Sequence, residues 1–118
     1  MEDDDLTALT SQLSELGSHP DKALINAITM LAEDYADDSL GANEFYDIIR
    51  TRMVSASTSD IFKLPLVYLV DSILNNAKGE FISVVGETIT SVFFSVYSKI
   101  DDNSKKKFAR LLSIWKKN

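Results

Sequence analysis

The sequence contains no cysteine, one histidine, four glycines and two prolines among its 118 residues. The absence of cysteine excludes disulfide scaffolds, cysteine-ligated zinc sites and thiol enzymes. No apolar run approaches the roughly 20 residues of a membrane-spanning helix. The segment Met1 to Asp5 is acidic, where a secretory or transit peptide would be basic. We therefore expect one domain over residues 1–118, in the cytoplasm or the nucleus, that needs neither metal nor disulfide to hold its core.

Motifs of enzymes are also missing. There is no glycine-rich phosphate loop and no Gly-x-Ser-x-Gly turn, and the single histidine, His19, has no partners at the spacing of a metal site. The acidic clusters at Glu2 to Asp5 and at Asp37 and Asp38 lack the spacing of a calcium loop. We interpret them as a solvated terminus and a solvated turn. The sequence thus predicts a non-catalytic protein without a cofactor or a metal.

Charge is distributed unevenly along the chain. Residues 1–60 carry 13 acidic and 3 basic side chains, whereas residues 61–118 carry 5 acidic and 9 basic ones. Six of the basic residues lie close to the end, after the last acidic residue: Lys105, Lys106, Lys107, Arg110, Lys116 and Lys117. A local basic feature on an acidic body suits one anionic group on a peptide better than a long nucleic-acid backbone, which would also meet the acidic half.

Apolar residues recur at helical spacing in six stretches, and no strand pattern competes with them. The stretches lie near residues 6–16, 20–35, 45–53, 62–76, 80–99 and 104–117. Pro20 is expected to open the second helix, with Ser18 or His19 as its cap. Polar turns are expected at 37–41 and 101–103, and a loop at 55–59. The fold class is therefore all-α, and short connections favour antiparallel hairpins stacked into a small right-handed superhelix.

Asp71 is the most informative single residue, because it lies on a helix that is otherwise apolar on nearly every side. A partly shielded carboxylate needs a partner. One interpretation is an internal hydrogen bond or ion pair that pins neighbouring helices. The other is an acceptor on the floor of a groove, with Tyr68 and Asn75 on the same helix face.

Arg110 is the second candidate, on the last predicted helix. Phe108, Leu111, Leu112 and Trp115 are spaced to face the core, so Lys106, Arg110, Ser113 and Lys117 are presented outward. Arg110 is either a solubilising surface charge or a phosphate-binding residue, since a guanidinium pairs with phosphate through two charge-assisted hydrogen bonds.

Two segments carry a resemblance to a known family. The stretch KLPLVYLVDSILNN at 63–76, followed by Gly79, Glu80 and Phe81, resembles the central helix of the CTD-interacting domains (CIDs), which bind the C-terminal heptad repeats of RNA polymerase II. The stretch KKKFARLLSIWKKN at 105–118 resembles a late helix of the same family. Within the family, the central segment is most similar to that of the 3′-end cleavage and transcription termination factor subunit.

This resemblance implies a right-handed superhelix of about eight helices, related to the ENTH and VHS domains, with a groove for the heptad Tyr-Ser-Pro-Thr-Ser-Pro-Ser bound with a β-turn. By position, it implies that Asp71 accepts from the heptad tyrosine and that Tyr68 and Asn75 contact the peptide. It further implies that Ile114 walls an apolar pocket and that Arg110 meets a phosphate on the second-position serine. Asn75 stands where the termination-factor members have a basic residue. The family continues for at least one more helix, which this chain is expected to lack.

The function implied is a nuclear reader of phosphorylated heptads that couples transcription to RNA 3′-end processing and termination, with other 3′-end processing factors as further partners. One alternative is a membrane-trafficking adaptor of the ENTH/VHS type that binds phosphoinositides or sorting peptides. However, the acidic segment Glu2 to Asp5 would be repelled by anionic lipid, so no membrane contact is expected. Another alternative is a helical scaffold whose basic end touches RNA, although RNA binding by this domain is expected to be weak or absent.

Overall fold

A computed structural model describes residues 1–55, 58 and 60–117, apart from the side chains at positions 61, 93, 116 and 117. Within these residues there are six α-helices and one short 3-10 helix, and no strand. The α-helices are α1 (Asp3–Glu15), α2 (Lys22–Glu33), α3 (Ser39–Val54), α4 (Lys63–Asn76), α5 (Glu80–Tyr97) and α6 (Asp102–Lys117). The 3-10 helix spans Asp60–Phe62 and leads directly into α4. The all-helical fold class predicted from the sequence is confirmed.

The six helices form one continuous hydrophobic core, with α4 in the middle of it. Helix α3 packs against α5, α2 packs against α4, and α4 also touches α3, α5 and α6. The rings of Phe45 on α3 and Phe81 on α5 meet edge to face, with 5.7 Å between their centroids. Leu64 and Ser104, near the starts of α4 and α6, line one cleft, whereas Asp71 and Trp115 meet about two to three turns later. Helices α4 and α6 therefore run in the same direction.

Three predicted helix starts were wrong, one of them that of α6, which begins at Asp102 inside the predicted turn at 101–103. Helix α2 begins at Lys22 rather than at Pro20, and its cap is Asp21, whose carboxylate accepts from the backbone N–H of Leu24 at 3.2 Å. Gly41 lies inside α3 and not in a turn, because Asp38 already caps that helix by accepting from Leu40. The predicted loop at 55–59 lies largely outside the described residues.

The turn between α4 and α5 is tight and depends on a glycine. Lys78 and Gly79 both have a positive φ, of 56° and 54°. A Cβ atom at Gly79 would lie 2.3 Å from the backbone oxygen of Ala36, and that same oxygen accepts from the N–H of Glu80 at 2.7 Å. Only glycine allows the chain to approach this closely. The turn thus fixes the C-terminal end of α4 against the segment that follows α2.

The other end of α4 is held by a buried lysine. The side chain of Lys63 is 0% exposed, and its Nζ donates to the carbonyl oxygens of Met53 at 2.7 Å and Ser55 at 3.0 Å. These carbonyls end α3, where the last four have no partner within the helix. Burial lowers the pKa of Lys63 below its usual 10.5, and the positive charge of Lys99 lowers it further. Lys63 therefore joins the start of α4 to the end of α3.

Candidate functional site

Helix α4 faces a different neighbour on each of two sides. The hydroxyl of Ser72 is hydrogen-bonded at 2.8 Å to that of Thr29 on α2. The carboxylate of Asp71 accepts from the indole Nε1–H of Trp115 on α6, also at 2.8 Å. Adjacent positions on a helix are about 100° apart. By this spacing Tyr68 and Asn75 lie about 60° and 40° around from Asp71, on the side toward Ser72. These two residues therefore occupy the strip of α4 between its α2 side and its α6 side.

The three residues of this strip differ in how deeply they lie. Tyr68 is half-buried and packs against the core. Asp71 is also half-buried, whereas Asn75 is exposed at the C-terminal end of the helix. The strip thus passes from an aromatic ring through a carboxylate to an amide. It offers an apolar surface, a charged acceptor and a group that can both donate and accept.

Asp71 has an internal partner. Its Oδ1 atom accepts a hydrogen bond from Trp115, and this bond pins α4 to α6. It is the kind of internal hydrogen bond that the first of the two interpretations of Asp71 predicts. Within the described residues, the second oxygen, Oδ2, takes part in no hydrogen bond or ion pair. A carboxylate oxygen has about two acceptor positions, so Asp71 retains the capacity to accept from a further donor.

Sequence reasoning missed the polar role of Trp115. It placed the ring against the core from its spacing alone, and the ring does stand edge to face with Phe108, at 6.4 Å between centroids. The indole N–H also needs an acceptor when it is taken out of water. Asp71 is the only acidic residue between Asp60 and Glu80, so the sequence contained a signal for this pair.

Arg110 and Ile114 lie on the outer part of α6. Arg110 is exposed and makes no hydrogen bond or ion pair to any residue that the structure describes. It precedes Trp115 by five residues, which places it about 7.5 Å along the axis and about 140° around the helix. Ile114 is 43% exposed and lies on the same flank as Arg110, about 40° from it. Neither residue is directed at Asp71, so the structure places both on an exposed flank of α6 and does not bring them together with the strip of α4.

Other basic residues flank Arg110 on α6. Lys106 and Lys107 are exposed, whereas the ammonium group of Lys105 lies 5.2 Å from the ring centroid of Tyr97 on α5. Asp101 and Asp102 stand at the start of the same helix. The side chains of Lys116 and Lys117, which the sequence also placed in the basic cluster, lie outside the described residues. Arg110 therefore stands in a basic segment that follows an acidic helix start.

An apolar cavity of about 180 Å³ lies on the opposite flank of Trp115, between α4, α5 and α6. Sequence reasoning did not predict it. Its lining consists of Leu74, Asn75, Ile82, Val85, Gly86, Ile89, Leu112 and Trp115. Trp115 thus separates this cavity from the flank that carries Ile114 and Arg110.

Nothing in the described part of the chain resembles a metal centre, since no three histidine, aspartate or glutamate side chains cluster there in a way that could hold an ion. No helix in these same residues is both long enough and apolar enough to span a bilayer. The side chains of the site, a carboxylate, an amide, a guanidinium and apolar groups, can form hydrogen bonds, ion pairs and apolar contacts.

The chain matches the sequence pattern of a known protein family. A sequence model described as the CID domain matches residues 7–118. The match includes all of the candidate site residues on α4 and α6.

Proposed function

Because the chain belongs to the CID family, the CTD-interacting domains, we propose that it reads the heptad repeats of RNA polymerase II when their second-position serine is phosphorylated. The family is one of protein-interaction domains that bind the polymerase C-terminal domain, and not of enzymes. In the proposed role, the domain acts in the nucleus and tethers 3′-end processing and termination factors to the elongating polymerase.

Asp71 is the proposed acceptor for the hydroxyl of the heptad tyrosine. The observation that carries this assignment is the half-buried carboxylate with one oxygen held by Trp115 and the other without a partner among the described residues. A hydrogen bond to an ionised acceptor contributes about 1.5–3 kcal/mol. Tyr68 and Asn75 flank Asp71 on the same strip, where they would contact the peptide on either side of its tyrosine.

Arg110 is the proposed phosphate-binding residue, and Ile114 the apolar wall beside it. Arg110 is exposed and its guanidinium has no carboxylate partner among the described residues, so it need not break an ion pair to bind a phosphate. Bidentate pairing with phosphate suits arginine better than lysine. Lys106 and Lys107 would add to the local positive field without fixing geometry.

The rest of the surface favours a short peptide with one phosphate over a long polyanion. Ten of the thirteen acidic residues in the first half of the chain lie on the exposed parts of α1, α2, α3 and their connections, whereas the basic residues concentrate on α6. A nucleic-acid backbone or an anionic membrane long enough to cover several helices would meet repulsion from the acidic side. A single phosphate bound by Arg110 on α6 would avoid this repulsion.

Affinity for a single repeat should be weak. A disordered peptide loses conformational entropy when it binds, and this loss offsets much of the contact energy. Tandem heptads compensate because a released repeat is replaced by its neighbour at high effective concentration. A phosphate adds about −1.5 to −2 charges, which is enough for a preference between phosphorylated and unmodified repeats rather than an absolute requirement.

The test is a titration of the protein with two-heptad peptides, with and without phosphate on the second-position serine. Trp115 is the only tryptophan of the chain and adjoins the proposed tyrosine acceptor, so its fluorescence is a direct readout. We expect a change in emission with both peptides and tighter binding of the phosphorylated one. If neither peptide binds, the proposed function is wrong. Binding to anionic vesicles or salt-dependent binding to RNA, without peptide binding, would support the trafficking or the RNA-scaffold alternative instead.

A further inference from the structure

Trp115 connects three parts of the molecule around the proposed tyrosine acceptor. Its Nε1 lies 2.8 Å from Oδ1 of Asp71, its ring meets Phe108 edge to face, and its outer side forms a wall of the apolar cavity shared with Leu112. Phe108 is fully buried. The indole is therefore held on one side by the core, and its N–H is presented to α4 in a fixed orientation.

A carboxylate needs such a fixed donor if it is to act as a selective acceptor. The terminal torsion of an aspartate is broad, so an unrestrained carboxylate turns freely and presents either oxygen. When one oxygen is held by a rigid donor, the position of the other is fixed as well. The cost of ordering that group is then met on folding rather than when the peptide binds, which is how preorganisation raises affinity.

We infer that Trp115 is a positioning residue that fixes Asp71 to read the tyrosine hydroxyl of the peptide. This inference rests on the proposed function. With Oδ1 occupied by the indole, Asp71 presents Oδ2 to one incoming hydroxyl donor. The hydrogen bond from Trp115 thereby gives the site its discrimination between tyrosine and phenylalanine at the first heptad position, while Trp115 itself need not touch the hydroxyl.

The experiment compares two phosphorylated two-heptad peptides that differ only in having tyrosine or phenylalanine at their first positions. Their dissociation constants are measured by calorimetry for the full parent chain and for Trp115→Phe, which keeps an aromatic ring and removes the N–H. For the parent we expect the tyrosine peptide to bind roughly tenfold more tightly, as for one hydrogen bond to an ionised acceptor. For the variant we expect the two constants to agree within about threefold.

Two further variants separate positioning from packing. Replacing Trp115 by β-(3-benzothienyl)alanine keeps the size of the two-ring system and substitutes sulfur for the N–H, so it should lose the discrimination even if Trp115→Phe is unstable. Leu112→Ala removes apolar contact from the same cavity wall without touching the hydrogen bond. It should lower thermal stability but leave the ratio of the two dissociation constants unchanged.

The outcomes distinguish this inference from the function on which it rests. If the parent prefers the tyrosine peptide and both Trp115 variants preserve or increase that preference, the positioning role is wrong while heptad binding stands. If Leu112→Ala abolishes the preference as fully as the Trp115 variants do, the effect belongs to packing and the inference is overturned. If the parent binds both peptides equally, Asp71 does not bind the tyrosine hydroxyl, and both the proposed tyrosine contact and the positioning role of Trp115 are wrong. If the parent binds neither, the proposed function is itself refuted.

Discussion

Replacement of Lys63 by methionine should show how strongly α4, which carries Asp71, depends on its attachment to α3. The ammonium group is completely buried and is bonded to the carbonyl oxygens of Met53 and Ser55 at the end of α3. Methionine has nearly the same length but no donor. The substitution therefore removes both hydrogen bonds and the positive charge that faces the negative end of the helix dipole.

The expected size of the effect follows from two opposing contributions. The Met53 residue is 2% exposed, so its carbonyl would be left unpaired and buried at a cost of about 1–3 kcal/mol. The Ser55 residue is partly exposed, and water can replace that bond at little cost. Methionine also removes the cost of burying an ammonium group, but the carbonyls that it leaves behind are not replaced by apolar groups. We therefore expect a net loss of about 2 kcal/mol, out of a total of about 5–15 for a typical domain.

The pH dependence of this loss has a definite sign. Burial lowers the pKa of Lys63 in the folded state below the usual 10.5, so the native protein releases this proton at a lower pH than the unfolded chain does. Between the two pKa values the unfolded chain binds more protons, and the contribution of Lys63 to stability rises with pH. The difference in unfolding free energy between the parent and Lys63→Met should consequently be larger near pH 10 than near pH 7.

Urea unfolding followed by helical circular dichroism measures both quantities. Lys22→Met is the matched control, because it makes the same chemical change at an exposed position on α2 and should alter stability by no more than about 0.5 kcal/mol. A Lys63→Met variant as stable as the parent would mean that the cost of burying the charge exceeds the value of its hydrogen bonds. A difference that shrinks toward pH 10 would contradict the assigned direction of the pKa shift.

Three other substitutions, two of them paired with a control substitution, test separate parts of the argument. Asp71→Asn keeps an oxygen for the indole bond, so thermal stability should change little while affinity for heptad peptides falls about five- to tenfold, as measured by titration. Arg110→Ala should remove the preference for the phosphorylated peptide without weakening the unmodified one, and Lys106→Ala should reduce that preference only slightly; equal weakening of both peptides would make Arg110 structural. Gly79→Ala should lower the melting temperature because its Cβ atom would meet backbone, whereas Gly86→Ala, with open space around it in α5, should raise stability by about 0.5–1 kcal/mol.

The helices themselves could be predicted because each one buries a stripe of apolar residues at a spacing that only a helix satisfies. In α5, for example, the β-branched and aromatic composition suggests a strand, but Phe81, Val85, Val92 and Val96 recur at helical intervals and all four are buried. Helix starts could not be predicted equally well. Several polar residues ahead of α2 are able to cap it, and the backbone conformation at Asp21 decides among them. That conformation depends on how the preceding turn packs, which spacing does not encode.

The candidate site could likewise be predicted only in part: the sequence indicates which residues share a helix face, but not which residues of other helices they contact. The periodicity of α4 alone places Tyr68, Asp71 and Asn75 on one side, and the isolation of Asp71 in an apolar helix already indicates that it needs a partner. That the partner is Trp115, 44 residues away, depends on the angle and the axial offset at which α6 crosses α4. A shift of α6 by one residue would rotate the indole by about 100° and remove its N–H from the carboxylate. The core fixes that offset through Phe108, which is fully buried and in ring contact with Trp115. The proposed acceptor therefore depends on how α4 and α6 pack against each other. Helical periodicity predicts which face of each helix carries Asp71 and Trp115, but it does not predict that the two side chains form a hydrogen bond.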